Sequence, residues 1–575
     1  MSKQQSEITN CQNCKNDFTI ESEDFAFYEK MGVPAPTFCP ECRLMRRCVW
    51  RNERNLYKRK CLTKDGEKEM ISNYGPDVPF PIYELEYWFS DAWDARDYAQ
   101  EYDSNQPFFA QLKKLMAQVP LPHTTNVQNV DSNFCNFTYQ CKNCYLVFAS
   151  DMNEDSAYLH QSMKNKNSCD LEGCEGMDSC FECYKSRNCY QSSYQYFSHN
   201  CIDSQLMWGC YNCHDCFGCV NLRNKSYCIF NEQYTKEEYA IKIQEYKNGS
   251  FNTLQNNIKR FLKFRLQFPH KYADIVQSEN VTGNHIHNAK NCYNCFDIGN
   301  KVEDCSFVSY AFGNTTQCMD VYAGGVNYEQ AYETTASGEN AQRLLMCGMV
   351  WTSSDVLYSL FCNRCTNCFG CVGLRNQSYC IFNKQYTKEE YEELMSKIKQ
   401  HMNEMPYIDQ RGLEYRYGEY FPMELSPFAY NETVAMDYMP KVKQEAQDMG
   451  LKWKEKEKNI YTVTLKTEDI PDNIADVSDD ILQQVIECKD AISVHSPGAF
   501  KLIPLELTLY RKLHLPIPRK SSNARYYERL SMRSPYKLWS RQCMHDGCSH
   551  MFQTAYAPDR PEIVYCESCY QSEVL

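Results

Sequence analysis

The sequence predicts a mixed, multi-domain fold in which a cysteine-rich module at each end flanks two tandem β-solenoid (parallel β-helix-like) blocks with capping helices. Three observations predict it. The two ends of the 575-residue chain align without a gap, two central segments repeat each other, and 35 cysteines recur at short spacings. A chain of this length exceeds the size of one hydrophobic core, so we expect several domains.

Composition indicates a folded protein in a reducing compartment. Hydrophobic residues make up 43% of the chain, and the formal net charge of −13 argues against unspecific coating of nucleic acid. The N-terminus shows no basic stretch followed by an apolar run, and no apolar segment approaches membrane-spanning length. We therefore expect a cytoplasmic protein without membrane contact, whose thiols bind metal or pack in a core.

The two ends are diverged copies of one module. Module A (residues 1–85) and module B (residues 491–575) align after a shift of 482 positions, which places residues 9–85 on residues 491–567. The shift superimposes Phe18 on Phe500, Tyr28 on Tyr510, and Tyr83 on Tyr565. It also superimposes Arg43, Arg47, Arg51 and Cys61 on Arg525, Arg529, Arg533 and Cys543. Agreement in one register over this length indicates an internal duplication.

Module A carries one candidate metal site. Two CxxC pairs separated by a folded stretch place four thiolates around one tetrahedral zinc ion. All four counterparts in module B are replaced together, as the loss of one shared metal predicts. The predicted ligands are Cys11, Cys14, Cys39 and Cys42, and their counterparts are Ser493, Ser496, Ser521 and Ala524.

Module B carries the other candidate metal site, with Cys543, Cys548, Cys566 and Cys569 as predicted ligands. The counterparts in module A are Cys61, Gly66, Glu84 and Tyr87, so only one ligand survives there. An ancestral module with two sites, of which each copy keeps a different one, explains both patterns. Four protein thiolates leave no open position, so both zinc ions are predicted to be structural. We interpret the neighbouring His545 and His550 as solvated residues, with substitution for Cys548 as the alternative.

The N-terminal pattern resembles the zinc-ribbon (treble-clef) domain of an uncharacterised family of large, cysteine-rich bacterial proteins. The shared features are a CxxC pair, an aromatic and acidic segment, a Tyr-x-x-x-Gly before Pro, and a C-x-x-C-Arg. In this sequence they are Cys11, Cys14, Phe18, Tyr28, Gly32, Pro36, Cys39, Cys42 and Arg43. The resemblance covers the first tenth of the chain and implies a bound zinc ion without implying an activity.

The next segment, residues 86–140, is predicted to be a helical linker. Gln106 to Gln118 has the pattern of an amphipathic helix that stops before Pro120. Asp94, Asp97 and Glu101 share a helical face by spacing, which we interpret as a solvated acidic face.

The centre of the chain is a tandem duplication. Residues 212–239 and 364–391 agree at 22 of 28 positions, which defines block 1 (141–266) and block 2 (288–405), with a linker at 267–287. Cys189 and Cys210 are 21 residues apart, and this period predicts one coil of a parallel β-helix. Each block ends in a predicted capping helix, because Thr235 and Thr387 each precede a Glu by three residues.

Each block contains a run of four cysteines at CxxC spacing. One interpretation is a metal or iron–sulfur site, although the ferredoxin pattern has a longer last gap and a following Pro. The other, which we favour, is a row of buried thiols, because stacked coils need small inward residues. The runs are Cys210, Cys213, Cys216 and Cys219, and Cys362, Cys365, Cys368 and Cys371.

Residues 406–490 are predicted to form a small α/β linker region. The sequence has helical patterns around 440–458 and 477–488 and a strand-like stretch at 461–467.

Basic residues follow the second CxxC pair of module A at helical spacing. On one helix, Arg43, Arg47, Arg51, Arg54 and Lys58 form a single basic stripe, and module B keeps Arg525, Arg529 and Arg533. Arginine forks bind phosphates, so the stripe suits a nucleic-acid backbone. The alternative is that these arginines pair with some of the 74 acidic residues of the chain.

These observations give three functional hypotheses. The first is a non-enzymatic, zinc-binding scaffold that contacts nucleic acid, in particular RNA, through the basic helices. The second is a protein–protein interaction scaffold with the solenoids as docking surface. The third is an enzyme with a carboxylate site on a solenoid face, although no catalytic residues or small-molecule substrate can be identified from the sequence.

Overall fold

A computed structural model describes residues 5–325, 330–335, 338, 343–455, 461–488 and 497–574. Over these residues the chain is a multi-domain α/β protein with a large parallel sheet and a group of four cysteines near each end. The predicted mixed, multi-domain class is confirmed at this level. Within the described ranges, no helix has both the length and the apolar character that a bilayer crossing requires.

Module A is built from two antiparallel hairpins, two helices and a short strand. These are β1 (Glu7–Asn10), β2 (Asp17–Ile20), α1 (Ser22–Met31), α2 (Pro40–Cys48), β3 (Tyr57–Thr63), β4 (Gly66–Ser72) and β5 (Ile82–Tyr83). Helix α1 ends at Met31, and its C-cap residue Gly32 has a left-handed φ of 67°, which favours glycine. Cys39 is the N-cap residue of α2, and Pro40 is its first helical residue, where a missing N–H costs nothing.

The segment after module A is only partly helical. It contains α3 (Leu85–Phe89), a four-residue 3-10 turn (Ala95–Tyr98), α4 (Phe108–Met116) and β6 (Leu121–Pro122). The amphipathic helix predicted at 106–118 is confirmed as α4. The predicted helical face of Asp94, Asp97 and Glu101 is wrong, because only a single 3-10 turn forms there.

Stack 1 is an eleven-stranded sheet that begins at Asn126, before the predicted start of block 1. Its strands are β7 (Asn126–Val127), β8 (Asn136–Tyr139), β9 (Phe148–Asp151), β10 (Ala157–His160), β11 (Cys169–Glu172), β12 (Phe181–Tyr184), β13 (Ser193–Tyr196), β14 (Gln205–Trp208), β15 (His214–Phe217), β16 (Ser226–Ile229) and β17 (Glu232–Gln233). β7 to β16 pair in parallel and in chain order, and β17 pairs antiparallel at the edge. Each residue pairs with the one twelve positions on, as Ala157 does with Cys169 and Cys169 with Phe181.

Stack 1 has a three-residue rhythm within each twelve-residue unit. Parallel bridges recur at every third residue, for example between Lys142 and Glu154 and between Tyr145 and Ala157. The residue before each inward position has positive φ, such as 52° at Asn143. Asparagine and glycine tolerate that conformation best, which explains the many Asn-Cys-Tyr triplets.

Every third residue of stack 1, from Cys135 to Cys219, is buried. These inward side chains are mostly small and polar, and they satisfy backbone groups. The Cys144 Sγ donates to the carbonyls of Lys142 and Asn153, both at 3.4 Å. The predicted coil period of 21 is wrong, because strands pair at twelve residues and 21 is only a multiple of the inward spacing of three.

Two helices and two short strands follow stack 1, and they lead into stack 2. The helices are α5 (Lys236–Lys242) and α6 (Phe251–Phe264), and the strands are β18 (His270–Lys271) and β19 (Ile275–Val276). Stack 2 runs from β19 through β20 (Glu279–Ser306), β21 (Ser309–Phe312), β22 (Thr315–Thr316), β23 (Tyr322–Gly325), β24 (Ser354–Leu357), β25 (Thr366–Phe369) and β26 (Ser378–Ile381) to β27 (Lys384–Gln385), and α7 (Lys388–Glu404) follows. Its register is thirteen residues at Phe296 and Ser309 and twelve at Ser354 and Thr366.

The predicted helix starts after both stacks are confirmed. The Thr235 hydroxyl accepts from the backbone N–H of Glu238, whose carboxylate accepts from the N–H of Thr235 in return. Thr387 and Glu390 make the same capping box at the start of α7. Both helices therefore begin directly after the antiparallel edge strand of their stack.

The region between stack 2 and module B has little regular structure. It contains β28 (Tyr407–Ile408), β29 (Glu414–Tyr415), α8 (Val434–Tyr438), α9 (Lys443–Asp448), β30 (Ile486–Glu487) and five 3-10 turns (Met423–Leu425, Tyr430–Glu432, Thr467–Asp469, Ile474–Asp476 and Asp479–Gln483). Of the two predicted helices, the first shortens to α9 and the second to the turn at Asp479–Gln483. Residues 456–460, at the end of the first prediction, lie outside the described residues. The predicted strand at 461–467 keeps one bridge, from Leu465 to Ile486.

Module B repeats the order of module A. Its elements are β31 (Ala499–Phe500), α10 (Pro504–Lys512), α11 (Ser522–Ser531), β32 (Trp539–Gln542), β33 (Met551–Thr554), β34 (Val564–Tyr565) and α12 (Glu567–Val574). Helices α10 and α11 correspond to α1 and α2, and the β32–β33 hairpin corresponds to β3–β4. Ser521 caps α11 at the position where Cys39 caps α2.

The two modules dock crosswise on the two stacks. Helix α2 of module A packs against β23 of stack 2, and α11 of module B packs against β11 of stack 1. Equivalent rings meet at both interfaces, since Tyr28 lies 5.5 Å from Tyr332 and Tyr510 lies 5.0 Å from Phe181, between ring centroids. The first module therefore contacts the second stack, and the last module contacts the first.

Candidate metal centres and the buried arginine network

The four predicted ligands of module A come together. One ligand atom from each of Cys11, Cys14, Cys39 and Cys42 lies within 4.8 Å of all the others. The Sγ atoms of Cys14 and Cys39 are 3.7 Å apart, close to the roughly 3.8 Å expected between two sulfurs bound tetrahedrally to zinc at about 2.3 Å. Cys11 and Cys14 lie in the turn between β1 and β2, and the other two lie at the start of α2.

Local hydrogen bonds support thiolates at this site. The N–H of Cys39 donates to the Sγ of Cys11 at 3.3 Å, and the side-chain amide of Asn13 donates to the Sγ of Cys42 at 3.1 Å. Hydrogen bonds from the thiols of Cys39 and Cys42 lower the pKa of Cys11, whereas the hydrogen bonds to Cys11 raise the pKa of Cys39 to about 12 and also raise the pKa of Cys42. Donors aimed at sulfur stabilise the charged form that binds metal.

The predicted ligands of module B also form one group. Ligand atoms of Cys543, Cys548, Cys566 and Cys569 lie within 4.8 Å of one another. The N–H of Cys566 donates to the Sγ of Cys543 at 3.3 Å, matching the Cys39–Cys11 contact of module A. Burial opposes ionisation of Cys566, but hydrogen bonds from Ser568 and the backbone of Cys569 lower its pKa to about 6.

The replaced ligand positions have structural roles. In module B, Ser521 caps α11 through a hydrogen bond from the N–H of Ala524 at 3.2 Å, and both residues are buried. Ser493 and Ser496 lie outside the described residues. In module A, Cys61 is buried, and that burial raises its pKa to about 11, so Cys61 is a packed thiol.

The structure does not form the predicted basic stripe. Helix α2 ends at Cys48, so only Arg43 and Arg47 of the stripe lie on it, and Lys58 lies in strand β3. Arg43, Arg47 and Arg51 are at most 5% exposed, whereas the Lys58 side chain is 67% exposed and pairs with Glu69.

Helix α2 of module A places three buried arginines against carboxylates of stack 2 and of the segment that follows it. Arg43 and Arg47 both donate to Asp320, at 2.8 and 3.0 Å. Arg46 pairs with Glu333 and, at 2.7 Å, with Glu419. The alternative that we considered from the sequence, internal pairing with acidic residues, describes this geometry.

Module B repeats the arrangement on stack 1. Arg525 and Arg529 donate to Asp170 at 2.7 and 3.1 Å, and Arg529 also pairs with Glu182 at 2.7 Å. Arg533 is 9% exposed and lies 3.5 Å from Asp297 of stack 2. Arg43 and Arg47 thus hold module A on stack 2, and Arg525 and Arg529 hold module B on stack 1. Arg51 pairs instead with Glu53 of its own module.

The acidic partners escaped detection in the sequence. Asp170, Glu182, Asp320 and Glu333 all have positive φ, between 49° and 59°, and each directly precedes a buried position of its stack. They lie twelve and thirteen residues apart, the two registers of the stacks. The sequence feature that could have revealed these partners is a pair of acidic residues twelve or thirteen positions apart, each placed one residue before an inward position.

A buried histidine joins module A to stack 1. His160 Nε2 lies 2.6 Å from Glu53, and its Nδ1 lies 2.9 Å from Glu172. Burial alone would lower the pKa of His160, but Glu172 and Glu53 outweigh it and raise the pKa to about 9. The imidazole is therefore a cation between two carboxylates at neutral pH.

The cysteine runs of the stacks are rows of buried thiols. All eight are at most 1% exposed, and each Sγ donates to backbone carbonyls, as Cys213 does to Tyr211 at 3.4 Å. The runs arise because consecutive inward positions are three residues apart. Across the described residues no cysteine forms a disulfide bond.

No model of a known protein family matches the sequence. No curated protein matches it either. The site must therefore be interpreted from its own geometry.

Proposed function

We propose that this protein is a zinc-stabilised, non-enzymatic scaffold, in which two structural metal ions hold the end modules in the shape that docks on the stacks. The observation that carries the proposal is the clustering of four cysteines in each module, from two separate segments of chain. In module A, the start of helix α2 supplies two thiols to the site and also the arginines that enter stack 2. Metal binding and docking are thus coupled through one helix.

Zinc is the metal that this chemistry favours. Four thiolates with no open position suit a structural zinc ion, because its filled d shell accepts tetrahedral sulfur ligands. A cysteine pair in a hairpin turn and a second pair at a helix start also support the zinc-ribbon, or treble-clef, interpretation of module A. Reduced ligands require a reducing compartment, which supports the cytoplasmic expectation.

The stacks serve in this proposal as solenoids. Bridges at every third residue, buried inward residues and left-handed corners all repeat in units of twelve or thirteen residues. These features support a coil that turns once per unit around a core of thiols and hydroxyls. Such a coil offers long, rigid outer faces for binding.

Metal analysis of the purified full-length protein tests the proposal. We expect about two zinc ions per chain, one of them lost in Cys11→Ser and the other in Cys543→Ser. Cys61→Ser is the matched control, since Cys61 is a buried thiol of the same module outside the site. Protein that is fully folded without metal, or that loses zinc equally in the control, would exclude this function.

Nucleic-acid contact through the arginines stays a prediction, and it requires a module to separate from its stack. Phosphates reach Arg43, Arg47, Arg525 or Arg529 only if a module leaves its stack, because these side chains are buried in ion pairs. RNA binding at low salt that persists after charge reversal of the exposed Lys58 would favour this prediction. The binding should also require that a module no longer docks on its stack.

A protein-docking surface is favoured by exposed apolar side chains on stack 1. Tyr190 and Ile202 are 42% and 44% exposed and pair with each other on adjacent units. A co-purifying protein that is lost in Tyr190→Ser together with Ile202→Ser would support this second candidate.

A further inference from the structure

Two clefts in this protein occupy equivalent positions in the duplicated architecture. Cleft 1 has a volume of ≈ 710 Å³ and lies where Arg54 of module A, helix α11 of module B and stack 1 meet. Cleft 2 has a volume of ≈ 350 Å³ and lies where Tyr536 of module B, helix α2 of module A and stack 2 meet.

The correspondence holds residue by residue in the modules. The shift of 482 positions relates Arg54, Asn55, Leu56, Ser522, Asn523, Tyr526 and Arg529 of cleft 1 to Tyr536, Lys537, Leu538, Pro40, Glu41, Leu44 and Arg47 of cleft 2. Both clefts therefore lie between the same two surfaces of the ancestral module, contributed in opposite order.

The stacks also supply corresponding walls. One register step back from Asp170 is Tyr158, and one step back from Asp320 is Phe307. These two rings line cleft 1 and cleft 2, and each lies beside the equivalent arginine, 5.7 Å from Arg525 and 5.2 Å from Arg43.

A second pair of contacts confirms the correspondence. Arg54 lies over Phe148 at 5.0 Å in cleft 1, and Tyr536 stacks on Phe296 at 5.1 Å in cleft 2. The duplication has thus preserved a concave surface at both places, although only one leucine and one arginine are identical among the matched side chains of the modules.

The two clefts differ in chemistry. Cleft 2 is neutralised by an ion pair between Lys537 and Glu41 at 2.8 Å. Cleft 1 keeps Arg54, whose guanidinium lies 3.5 Å from the ring centre of Tyr526 and donates to Asn523 at 3.1 Å. The stacked guanidinium has a fixed plane, which favours recognition of a flat or anionic group.

Cleft 1 is lined by aromatic rings and carries more available cations than anions. Lys501 adds positive charge to Arg54, and Lys454, which also lines the cleft, pairs with Asp77 at 3.4 Å. The cleft has two acidic residues. Glu455 pairs with Lys443, and burial raises the pKa of Glu432, which favours its neutral form.

We propose that cleft 1 is a binding site for a small ring-bearing anion of the mononucleotide class. Aromatic faces from stack 1, including Phe134 and Tyr145, suit stacking of a planar base, and the cations suit a phosphate. The volume lies within the roughly 300–1,000 Å³ of typical ligand pockets. The site goes beyond the scaffold role and does not depend on it.

Titration calorimetry of the full-length, zinc-loaded protein with AMP, GMP, CMP and UMP tests this site. We expect one saturable site per chain for at least one of the four probes. Arg54→Gln and Phe134→Ala should each weaken binding by about tenfold or more, the effect of one lost contact of about 1.4 kcal/mol. Phe134 is 42% exposed, so its truncation leaves the core intact.

Lys537→Gln in cleft 2 is the matched control, because it removes a cation from the equivalent wall and should leave binding unchanged. Thermal melts of all three variants establish that they remain folded. The proposal is overturned if no probe binds at about 1 mM. A dissociation constant of that size corresponds to a binding free energy of only about 4 kcal/mol. So does binding that is insensitive to Arg54→Gln and Phe134→Ala, or inorganic phosphate binding as tightly as the nucleotides.

Discussion

Arg43 donates through Nε to Asp320 at 2.8 Å, and their side chains are 2% and 0% exposed. Asp320 also accepts from Arg47, so one carboxylate of stack 2 holds two guanidiniums of helix α2. Asp170 does the same for Arg525 and Arg529 of α11. Desolvating buried charges costs several kcal/mol. Removal of one partner therefore leaves an unpaired buried charge and destabilises the docked module.

Asp320→Ala should lower the free energy of unfolding by about 3 to 5 kcal/mol, because two buried guanidiniums lose their partner. Urea unfolding followed by intrinsic fluorescence measures the change. Glu154→Ala is the control, since Glu154 pairs with Lys142 at the surface and its loss should cost at most about 1 kcal/mol. Equal effects of the two substitutions would contradict a stabilising role for the buried ion pairs of Asp320.

His160 should make stability fall as pH rises from about 6.5 to about 9. Its pKa is raised to about 9 in the folded protein and returns to the ordinary histidine value of 6.5 on unfolding. The folded state therefore holds the proton more tightly, so the contribution is complete below pH 6.5 and is lost as pH rises through 9. The size is on the order of 3 kcal/mol.

Urea midpoints measured between pH 6 and pH 10 check this expectation, and His160→Gln should remove most of the slope. The glutamine keeps a polar group near Glu53 and Glu172 but cannot carry the charge. A slope as steep in the variant as in the wild type would assign the pH dependence to other groups.

The metal ligands could be predicted from the sequence because their geometry is local. A CxxC pair fixes two thiols in one turn, and the duplication showed which pairs belong together. The capping boxes at Thr235 and Thr387 could be predicted for the same reason.

The long-range features could not be predicted in this way. Which stack each module contacts depends on pairing between Arg43 and Asp320, residues 277 positions apart, and spacing within one segment carries no such information. The helical periodicity of Arg51 and Lys58 was misleading because α2 ends at Cys48, before either residue. The period between paired strands was missed because cysteines occupy inward positions. These positions recur every three residues and do not mark the strand register.

Alkylation of the native, metal-loaded protein should modify few of its 35 cysteines. Bound metal protects the eight ligands, and the stack thiols are buried, with burial raising the pKa of Cys174 and Cys347 to about 12. Iodoacetamide labelling with mass spectrometry, before and after chelation, measures this. After chelation, labelling should rise at Cys14, Cys548 and Cys569, which are the ligands with exposed or partly exposed side chains. Rapid labelling of Cys210 before unfolding would contradict the buried stack core.

The inward cysteines should tolerate serine better than a larger apolar residue. Cys210 Sγ donates to the carbonyls of Trp208 and Cys219, both at 3.5 Å, and the residue one unit earlier, Ser198, is equally buried. Serine keeps a donor of similar size, so Cys210→Ser should change the free energy of unfolding by about 1 kcal/mol or less. Cys210→Phe should cost about 3 kcal/mol or more, because a close-packed interior cannot admit the ring without displacing neighbouring units. Urea midpoints of the two variants measure the contrast. A serine variant as damaged as the phenylalanine one would mean that the thiol has a role, such as metal binding, that packing and hydrogen bonding do not supply.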